Sequence, residues 1–393
     1  MGGILVLGGA GHIGSRIVRE IVEIDSSVEL TIGDINLERA EELAKELGNV
    51  KVVKVNASRE EELMEVLKGK EVVVNAVGPF YKFGVPVLKS AIRCGVDYID
   101  INDDYDSTAD ALNLNELAIG KKMTAIVGMG ATPGITNLIA KYGSGRLDKV
   151  EEVGTYWVWT AIDPTMGPAI IEHYFHAITG IVKTYKDGEL VDVKALSEPE
   201  IFEFPKPIGP WEVANVGHPE PITIPRYMKV RKVYNKGGIW PAELNEIAKV
   251  FSQLGLTGDG VINVGELNFK AMELAIAITM SLDKLIQPEE LQKILANVSD
   301  RLGEYALTGV GLGVRLKGTK NGEECSITYK IACKDATEVT ALPCAITALK
   351  LLNEDYINGV YPPEAGVIDV KDILEELKKR FKIECSELRN YTL

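Results

Sequence analysis

The chain is poor in the features of secreted, nucleic-acid-binding and membrane-spanning proteins. Its five cysteines are odd in number and form no C-x-x-C pair, which argues against a disulfide framework and a structural zinc site. Acidic residues outnumber basic ones by 57 to 43, and the resulting net charge of -14 opposes binding to a phosphate backbone. No apolar run is long enough to span a bilayer, and no basic segment precedes the first apolar run. We therefore expect a cytoplasmic protein with reduced thiols and with neither a nucleic-acid nor a membrane partner.

The overall composition is typical of a soluble globular protein. Hydrophobic residues make up 46% of the chain and charged residues 25%. A chain of 393 residues is too long for one ordinary hydrophobic core and suits two domains. From residue 1 to about 130, apolar runs such as "GILVLG" alternate with amphipathic segments such as "SRIVREIVEI". This alternation predicts an α/β fold, a Rossmann-type doubly wound parallel sheet with helices on both faces.

The pattern changes after "GMGATPGITNLIAKYG". All four tryptophans fall within the next hundred or so residues, and "GVGLGVRLKGTKNGEECSITYKIACK" predicts a β-hairpin with its turn at Asn321 and Gly322. We predict an α+β substrate and dimerisation domain over residues 131–335. Apolar helical segments over 336–393 then return to the Rossmann domain, so that the substrate domain is an insertion.

A glycine cluster follows the first apolar run. Gly9, Gly11 and Gly14 have the G-x-G-x-x-G spacing of a strand-to-helix turn that lets a pyrophosphate approach the backbone. Asp34 ends the second predicted strand about twenty residues later, where an acid binds the adenosine ribose. The cofactor-binding residues that we predict, all near carboxyl ends of predicted strands, are Gly8, Gly9, Gly11, His12, Ile13, Gly14, Asp34, Ile35, Asn36, Asn56, Ala57, Asn75, Ala76, Val77, Gly78 and Pro79.

The acid also bears on the choice of cofactor. A carboxylate at Asp34 accepts hydrogen bonds from two ribose hydroxyls but repels a 2'-phosphate, so NAD is favoured over NADP. Arg39 keeps NADP open, since one helical turn could bring its guanidinium back to such a phosphate. Asp34 is also a candidate N-cap for the helix that follows.

Several segments together resemble the saccharopine dehydrogenase family, which includes saccharopine reductases and lysine dehydrogenases. They are "GGAGHIG", "GDIN", "EVVVNAVGPFYKFGVPVLKSAIRCGVDYID", "GMGATPGITNLIA", "GHPEPITIPRY" and "DATEVTALPCAITALKLL". The resemblance implies a Rossmann domain interrupted by a substrate domain, and oxidation of a carbon that bears nitrogen by a nicotinamide cofactor. It also implies an active-site role for Tyr81. Thr132 replaces the aspartate of the reductases, and "ATPGITN" is closer to the lysine dehydrogenases.

Such a reaction needs a proton acceptor near neutrality, and His218 in the irregular segment "VGHPEPITIPR" is our first candidate. A histidine that merely satisfies loop carbonyls is the alternative. Tyr81, Asp103 and Asp104 are further proton carriers, although the two acids also suit a turn or an N-cap. The residues that we predict to bind the amino-acid substrate are Arg226, Asn102, Asp103, Thr132 and Asn137. Arg231 could replace Arg226 as the partner of the substrate carboxylate.

Two other groups of residues are given structural roles. His173 and His176 share one helical face beside Glu172, but no third histidine or cysteine ligand is evident, so no metal site is predicted. Trp157 and Trp159 share one face of a strand, where a core or a homodimer interface outweighs substrate stacking.

Two other functional classes stay open. One is a Rossmann reductase that acts on a C=O or C=C bond, although a short-chain dehydrogenase would need a Tyr-x-x-x-Lys spacing, which is absent from the sequence. The other is a nucleotide-binding regulator without turnover, which would keep the glycines and Asp34 but lack a competent base.

Overall fold

The computed structural model describes residues 2–163 and 166–389, which form two compact units. In sequence, the second unit interrupts the first. The first unit contains the residues up to Asp148, Ile222–Lys229 and Thr337–Phe381. The second unit contains Lys149–Pro221, Val230–Ala336 and the residues after 381.

The first unit is built on a seven-stranded sheet in which every neighbouring pair is parallel. Its strands are β1 (Ile4–Leu7), β2 (Leu30–Asp34), β3 (Val50–Lys54), β4 (Val72–Asn75), β5 (Asp97–Asp100), β6 (Thr124–Ile126) and β17 (Gly359–Tyr361). The spatial order is β17-β6-β5-β4-β1-β2-β3. The order therefore reverses between β1 and β4, and the carboxyl ends of strands at such a point form the ligand crevice of doubly wound sheets. The predicted Rossmann fold is confirmed.

Helices connect these strands; several bury one apolar stripe, whereas α14 is buried at every position from 339 to 349. The helices of the first unit are α1 (His12–Ile24), α2 (Leu37–Leu47), α3 (Glu60–Leu67), α4 (Phe80–Cys94), α5 (Tyr105–Leu112), α6 (Asn115–Lys121), α7 (Ile135–Ser144), α14 (Ala336–Asn353) and α15 (Val370–Arg380). In α1, for example, Ile17, Val18 and Ile21 recur at helical spacing and are all fully buried. In the described part of the chain, no helix combines the length and the apolar character needed to cross a membrane.

The second unit contains a mixed nine-stranded sheet. Its strands are β7 (Lys149–Thr160), β8 (Ile181–Lys186), β9 (Glu189–Lys194), β10 (Glu200–Glu203), β11 (Pro210–Asn215), β12 (Lys232–Trp240), β15 (Val310–Lys320), β16 (Glu323–Cys333) and β18 (Glu384–Arg389). The hairpin of β15 and β16 turns at Asn321 and Gly322, both at positive φ, as predicted. Strand β7 pairs antiparallel with β15 but parallel with β12.

The remaining elements of the second unit are helical apart from one separate hairpin. They are α8 (Pro168–Ala177), α10 (Ala242–Gln253), β13 (Val261–Val264), β14 (Leu267–Lys270), α11 (Ala271–Thr279), α12 (Leu282–Leu285) and α13 (Pro288–Leu302). Helix α9 (Glu220–Tyr227) begins with two residues of the second unit and continues in the first.

The unit boundaries differ from the predicted ones at 130 and 335. The first unit extends to Asp148 because α7 packs against α15 and the turn Pro363–Ala365, which belong to the same unit. The apolar segments after residue 336 do return to the first unit, but only as far as Phe381. The chain then leaves it again, because β18 pairs with β16 at the edge of the second sheet.

A buried acid joins the returning helix to the first helix of the Rossmann domain. Glu20 of α1 is fully buried, and its carboxylate lies 2.7 Å from Arg16 Nε and 3.6 Å from a guanidinium nitrogen of Arg380 in α15. Arg380 also pairs with Glu23 and, at 3.2 Å, with Glu338 of α14. One guanidinium therefore links α1 to two helices that lie more than 300 residues further along the chain.

A second buried acid organises the carboxyl end of β5. Asp100 accepts hydrogen bonds from the Asn102 N–H at 3.1 Å, the Gly128 N–H at 2.7 Å and the Tyr98 hydroxyl at 2.7 Å. It is 1% exposed, and this burial raises the pKa of Asp100 to about 6 despite the three donors. The carboxylate therefore fixes the loops that follow β5 and β6.

Replacing Arg380 by Ala should lower the free energy of unfolding by about 2 kcal/mol, because Glu20 loses one of its two cationic partners. The matched control is Arg19→Ala on α1, the helix of Glu20; the pair of Arg19 with Glu46 is exposed and should contribute much less to stability. Urea unfolding measures both values. Equal losses in the two variants would contradict a structural role for the buried network.

Asp100 should make stability depend on pH. Because its pKa is raised in the folded state, the folded protein binds more protons than the unfolded chain between about pH 4 and pH 6. Its contribution is therefore largest below pH 4 and is lost as the pH rises through 6. The unfolding free energy of wild type relative to Asp100→Asn should fall by on the order of 2–3 kcal/mol from pH 4 to pH 7.

Chemical unfolding of both proteins across this pH range measures the difference. Asp110→Asn, on the exposed side of α5, is the matched control and should change much less relative to wild type. A difference between wild type and Asp100→Asn that does not vary with pH would contradict the prediction.

Candidate functional site

The turn between β1 and α1 has the shape of a pyrophosphate cradle. Gly8 has φ +71°, and the Gly11 N–H donates to the Gly8 carbonyl at 3.0 Å. A Cβ atom at position 14 would lie 2.0 Å from that carbonyl oxygen, so only glycine allows this close approach. Helix α1 starts at His12 with neither a side-chain cap nor an acid in its first turn, which leaves its N-terminal N–H groups and positive dipole end to an anion.

Asp34 is tied to this turn. Its Oδ2 accepts the Ala10 N–H at 2.9 Å and its Oδ1 accepts the Asn36 N–H at 2.9 Å. The half-buried carboxylate therefore lies beside the glycine turn, where a ribose-binding acid is expected. The alternative that Asp34 caps α2 is wrong: the cap is Asn36, whose Oδ1 accepts the Arg39 N–H at 3.1 Å.

The loop after β4 lies against the same turn, since a Cβ at Gly8 would be 2.9 Å from the Ala76 carbonyl oxygen. Asn75 itself is fully buried: its amide donates to the Tyr98 hydroxyl at 3.0 Å and accepts the Val77 N–H at 3.1 Å. Its side chain shapes the loop, and the cofactor edge is left to residues 76–79, of which 76–78 are half-buried.

Asn56 has a comparable local role after β3, where its Oδ1 accepts from the backbone and the hydroxyl of Ser58. Ala57 is half-buried beside it, and Ile35 after β2 is 61% exposed. Among the predicted polar cofactor contacts, the Asp34 side chain is hydrogen-bonded to the glycine turn through the Ala10 N–H.

The loop after β5 fixes the start of α4, where Tyr81 lies. Asp104 is fully buried, and its Oδ2 accepts the Tyr81 N–H at 2.8 Å. Asn102 is also fully buried; its Oδ1 accepts the Asp104 N–H and its amide donates to the Ser107 hydroxyl at 3.0 Å. Tyr81 and Asp103 are half-buried. Asn102 and Asp104 therefore hold backbone in place, while Tyr81 and Asp103 are the more accessible members of the group.

The segment that resembles the family at Thr132 is buried throughout. Thr132 is 8% exposed, and the Gly130 N–H donates to the Pro133 carbonyl at 3.1 Å within a tight turn. Asn137 is fully buried, and its amide donates to Glu364 at 2.9 Å. This contact joins α7 to the turn near β17, which is a structural role for a residue that we predicted to bind substrate.

The predicted carboxylate-binding arginines have different surroundings. Arg226 is exposed near the end of α9. Arg231 is also exposed but pairs with Asp187 at 2.7 Å. Arg226 is therefore the better candidate of the two for a substrate carboxylate.

His218 lies in the second unit, in the loop between β11 and α9. It is 3% exposed, its ring centroid lies 5.4 Å from Trp157 and 5.9 Å from His173, and its Nδ1 is 3.6 Å from Glu220 Oε2. Glu220 is fully buried. Trp157 is 6% exposed and thus part of the core. The histidine faces an acid and two rings, which differs from a residue that satisfies loop carbonyls.

Sequence reasoning missed two acids. Asp100 ends the strand "DYID", where a charged residue inside an apolar strand was a usable signal, and Glu220 follows His218 by two residues in "GHPEP". Within the first unit the structure brings together the glycine turn, Asp34 and the loop after β4, and separately joins Tyr81 to Asp104. His218 belongs to the other unit.

Comparison with known proteins agrees with this geometry. Residues 4–126 match the family model described as the saccharopine dehydrogenase NADP binding domain. The segment contains the glycine turn, Asp34 and the loop after β4. The cofactor of this unit is accordingly NAD(P).

Curated relatives match only part of the chain. A lipid droplet localized protein from Caenorhabditis elegans is 24% identical over 111 residues, 26% of this chain and 26% of that protein. A trans-acting enoyl reductase from Mycobacterium leprae is 21% identical over 157 residues, 38% of each chain. The chain therefore spans well under half the length of these relatives.

A solved structure matches along nearly the whole chain. Apo saccharopine dehydrogenase (L-Glu forming) from Saccharomyces cerevisiae has a TM-score of 0.69 and 16% identity, and the match covers 98% of this chain and 100% of that chain. The fold is therefore shared in both units. Residues 4–126 thus match the NADP binding domain of the saccharopine dehydrogenases, and both units share the fold of the yeast enzyme.

Proposed function

We propose that this protein is an NAD(P)-dependent dehydrogenase that oxidises a C–N bond of an amino acid or an opine, with lysine-like or saccharopine-like substrates. The observation that carries the proposal is the fold likeness to a saccharopine dehydrogenase in both units. Dinucleotide-binding domains recur in many oxidoreductases, whereas the second unit distinguishes among them. The shared fold of the second unit therefore supports the proposal of an amine substrate.

The reaction divides into steps with separate requirements. NAD(P)+, when held by the glycine turn, would supply the hydride acceptor for the reaction. The substrate must lose its ammonium proton so that the nitrogen lone pair can assist departure of the hydride from the adjacent carbon. The resulting iminium is then hydrolysed by water to a carbonyl compound and an amine, with a proton released. The protein must therefore orient the C–H bond and supply a proton acceptor.

His218 is the proton acceptor in this proposal. It is the residue among the candidates whose ring is buried beside a carboxylate, and a neutral imidazole accepts a proton near neutral pH. Tyr81 is assigned the second polar contact with the substrate, because Asp104 fixes its backbone and its side chain is half-buried. The exposed Arg226 would bind the substrate carboxylate in a bidentate pair.

We further propose NAD as the preferred cofactor, although the family description names NADP. The carboxylate of Asp34 beside the glycine turn would repel a 2'-phosphate. Arg39 is exposed on α2, and its backbone N–H is already used by the helix cap.

A second candidate is reduction of an activated C=C bond. The mycobacterial relatives are described as trans-acting enoyl reductases, and they match over 157 residues. In that case NADPH would be oxidised by an enoyl thioester, and no amine would reduce NAD+.

The cofactor preference is tested with Asp34→Asn, which keeps an acceptor for the Ala10 N–H and removes the charge. Wild type should bind NADH about tenfold or more tightly than NADPH, and Asp34→Asn should reduce this preference by about tenfold. Calorimetry or the fluorescence of bound NADH gives the dissociation constants. Asp25→Asn, at the exposed end of α1, is the control. An unchanged ratio in Asp34→Asn would contradict the assignment.

The reaction is tested by following NADH absorbance with purified protein, NAD+ or NADP+, and a panel of lysine, saccharopine, other amino acids and opines. With an active substrate, His218→Gln should lower kcat by about 10²-fold or more while NADH binding is retained. His176→Gln in the same unit is the matched control and should stay within about twofold of wild type. Tyr81→Phe should raise KM or lower kcat by a smaller factor.

Two outcomes would reject this assignment. Turnover of an enoyl thioester, together with no detectable activity on any amine, would favour the reductase. An amine activity that survives His218→Gln and Tyr81→Phe unchanged would show that the acceptor is another residue.

A further inference from the structure

A series of hydrogen bonds crosses the interior of the second unit and ends at Glu220, beside His218. The Trp157 indole Nε1 donates to Asn235 Oδ1 at 2.9 Å, and the Asn235 amide nitrogen donates to Thr155 Oγ1 and to Glu220 Oε1, both at 2.9 Å. The pairing of β12 with β7 sets Asn235 opposite Thr155 and Gly237 opposite Trp157. The strand pairing therefore fixes the positions of Trp157, Asn235 and Thr155, which make the first of these hydrogen bonds.

The chemistry of the side chains determines which group donates and which accepts in each of these hydrogen bonds. An indole N–H can only donate, so Asn235 must present its oxygen to Trp157 and its NH₂ group to Glu220. Glu220 Oε1 is accordingly an acceptor. Asn235 and Glu220 are 1% and 0% exposed, so water does not set their orientation.

The other oxygen of Glu220 faces the histidine. Glu220 Oε2 lies 3.6 Å from His218 Nδ1, slightly beyond hydrogen-bond length, and this nitrogen is buried with no hydrogen-bond partner. A displacement of a few tenths of an ångström would form the bond, and such contacts commonly shorten when ligands bind. The backbone holds the loop nearby, since the Gly217 N–H donates to the Ala177 carbonyl at 2.7 Å.

We propose that Glu220 is the positioning residue for His218: it accepts the Nδ1 proton and thereby leaves Nε2 as the atom that receives a proton from the substrate amine. The inference rests on the proposed function for the identity of that proton donor. Glu220 does not itself touch the reacting atoms. Its effect is to select one of the two neutral tautomers of the imidazole and to stabilise the ring after protonation.

The substitution Glu220→Gln should produce the opposite neutral tautomer of the His218 ring. Because the Asn235 NH₂ group still needs an acceptor, the new side chain would turn its oxygen toward Asn235 and its NH₂ toward His218. Nδ1 must then accept a hydrogen bond, so the proton moves to Nε2 and the ring can no longer act as a base there. The shape and volume of the side chain hardly change.

The experiment is nitrogen NMR of the imidazole rings of the full chain, supported by kinetics. The chain has four histidines, so the His218 signals can be assigned by their loss in His218→Gln. In a pH series, neutral His218 should be the Nδ1–H tautomer in wild type and in the control Glu189→Gln, and the Nε2–H tautomer in Glu220→Gln. With an active substrate, kcat of Glu220→Gln should fall about 10²-fold with a nearly unchanged KM.

The tautomer decides the proposal even without a substrate. An Nε2–H tautomer in wild type, or the same tautomer in wild type and Glu220→Gln, would overturn it. If Glu220→Gln were poorly folded, the wild-type spectrum alone would still give this result. Failure of the proposed function is a separate outcome. If none of the amines yields NADH, the proposed function fails, but the tautomer of His218 can still be measured.

Discussion

The close contact of α1 with the end of β1 is the constraint on which the nucleotide-binding part of the structure depends. A side chain at Gly14 would collide with the Gly8 carbonyl, so this contact exists only because both positions are glycine. It brings the N-terminus of a long helix to the point where the strand order reverses. Asp34 fixes the same turn through Ala10. Phosphate binding and ribose binding therefore follow from one packing requirement.

Buried carboxylates hold together segments that are distant in sequence. Glu20, Asp100, Glu220 and Glu364 are each at most 1% exposed. An ionised carboxylate in such a position is costly unless it is paired or hydrogen-bonded. The contacts of Glu20, Asp100 and Glu364 meet this requirement by joining α1 to α15, β5 to the loop after β6, and α7 to the turn after β17. Once formed, these contacts define the loops at the carboxyl edge of the sheet.

The two units make different contributions to the chemistry. The first contains the NAD(P) cradle, whose components are backbone groups and one carboxylate. The second contains a series of hydrogen-bonded side chains, from Trp157 through Asn235 to Glu220, that ends beside His218. Hydride transfer is common to many folds with the first arrangement, so substrate choice depends on side chains such as those of the second.

The sequence by itself determined the parallel sheet, the glycine turn, the acid at the end of β2 and the hairpin at Asn321 and Gly322. Each of these depends on residues close in sequence, whose spacing reports backbone conformation directly. Only the tertiary structure decided which polar residues are structural: the amides of Asn75, Asn102 and Asn137 are buried and engaged in the fold.

The tertiary structure likewise decided the unit boundary at Asp148, the departure of the chain after Phe381 and the pairing of Glu220 with His218. The physical reason is that these features depend on contacts between distant segments. Asn137 is hydrogen-bonded to Glu364, and β16 pairs with β18, near the end of the described residues. Local periodicity carries no information about such partners, because burial and hydrogen bonding are settled only when the segments pack.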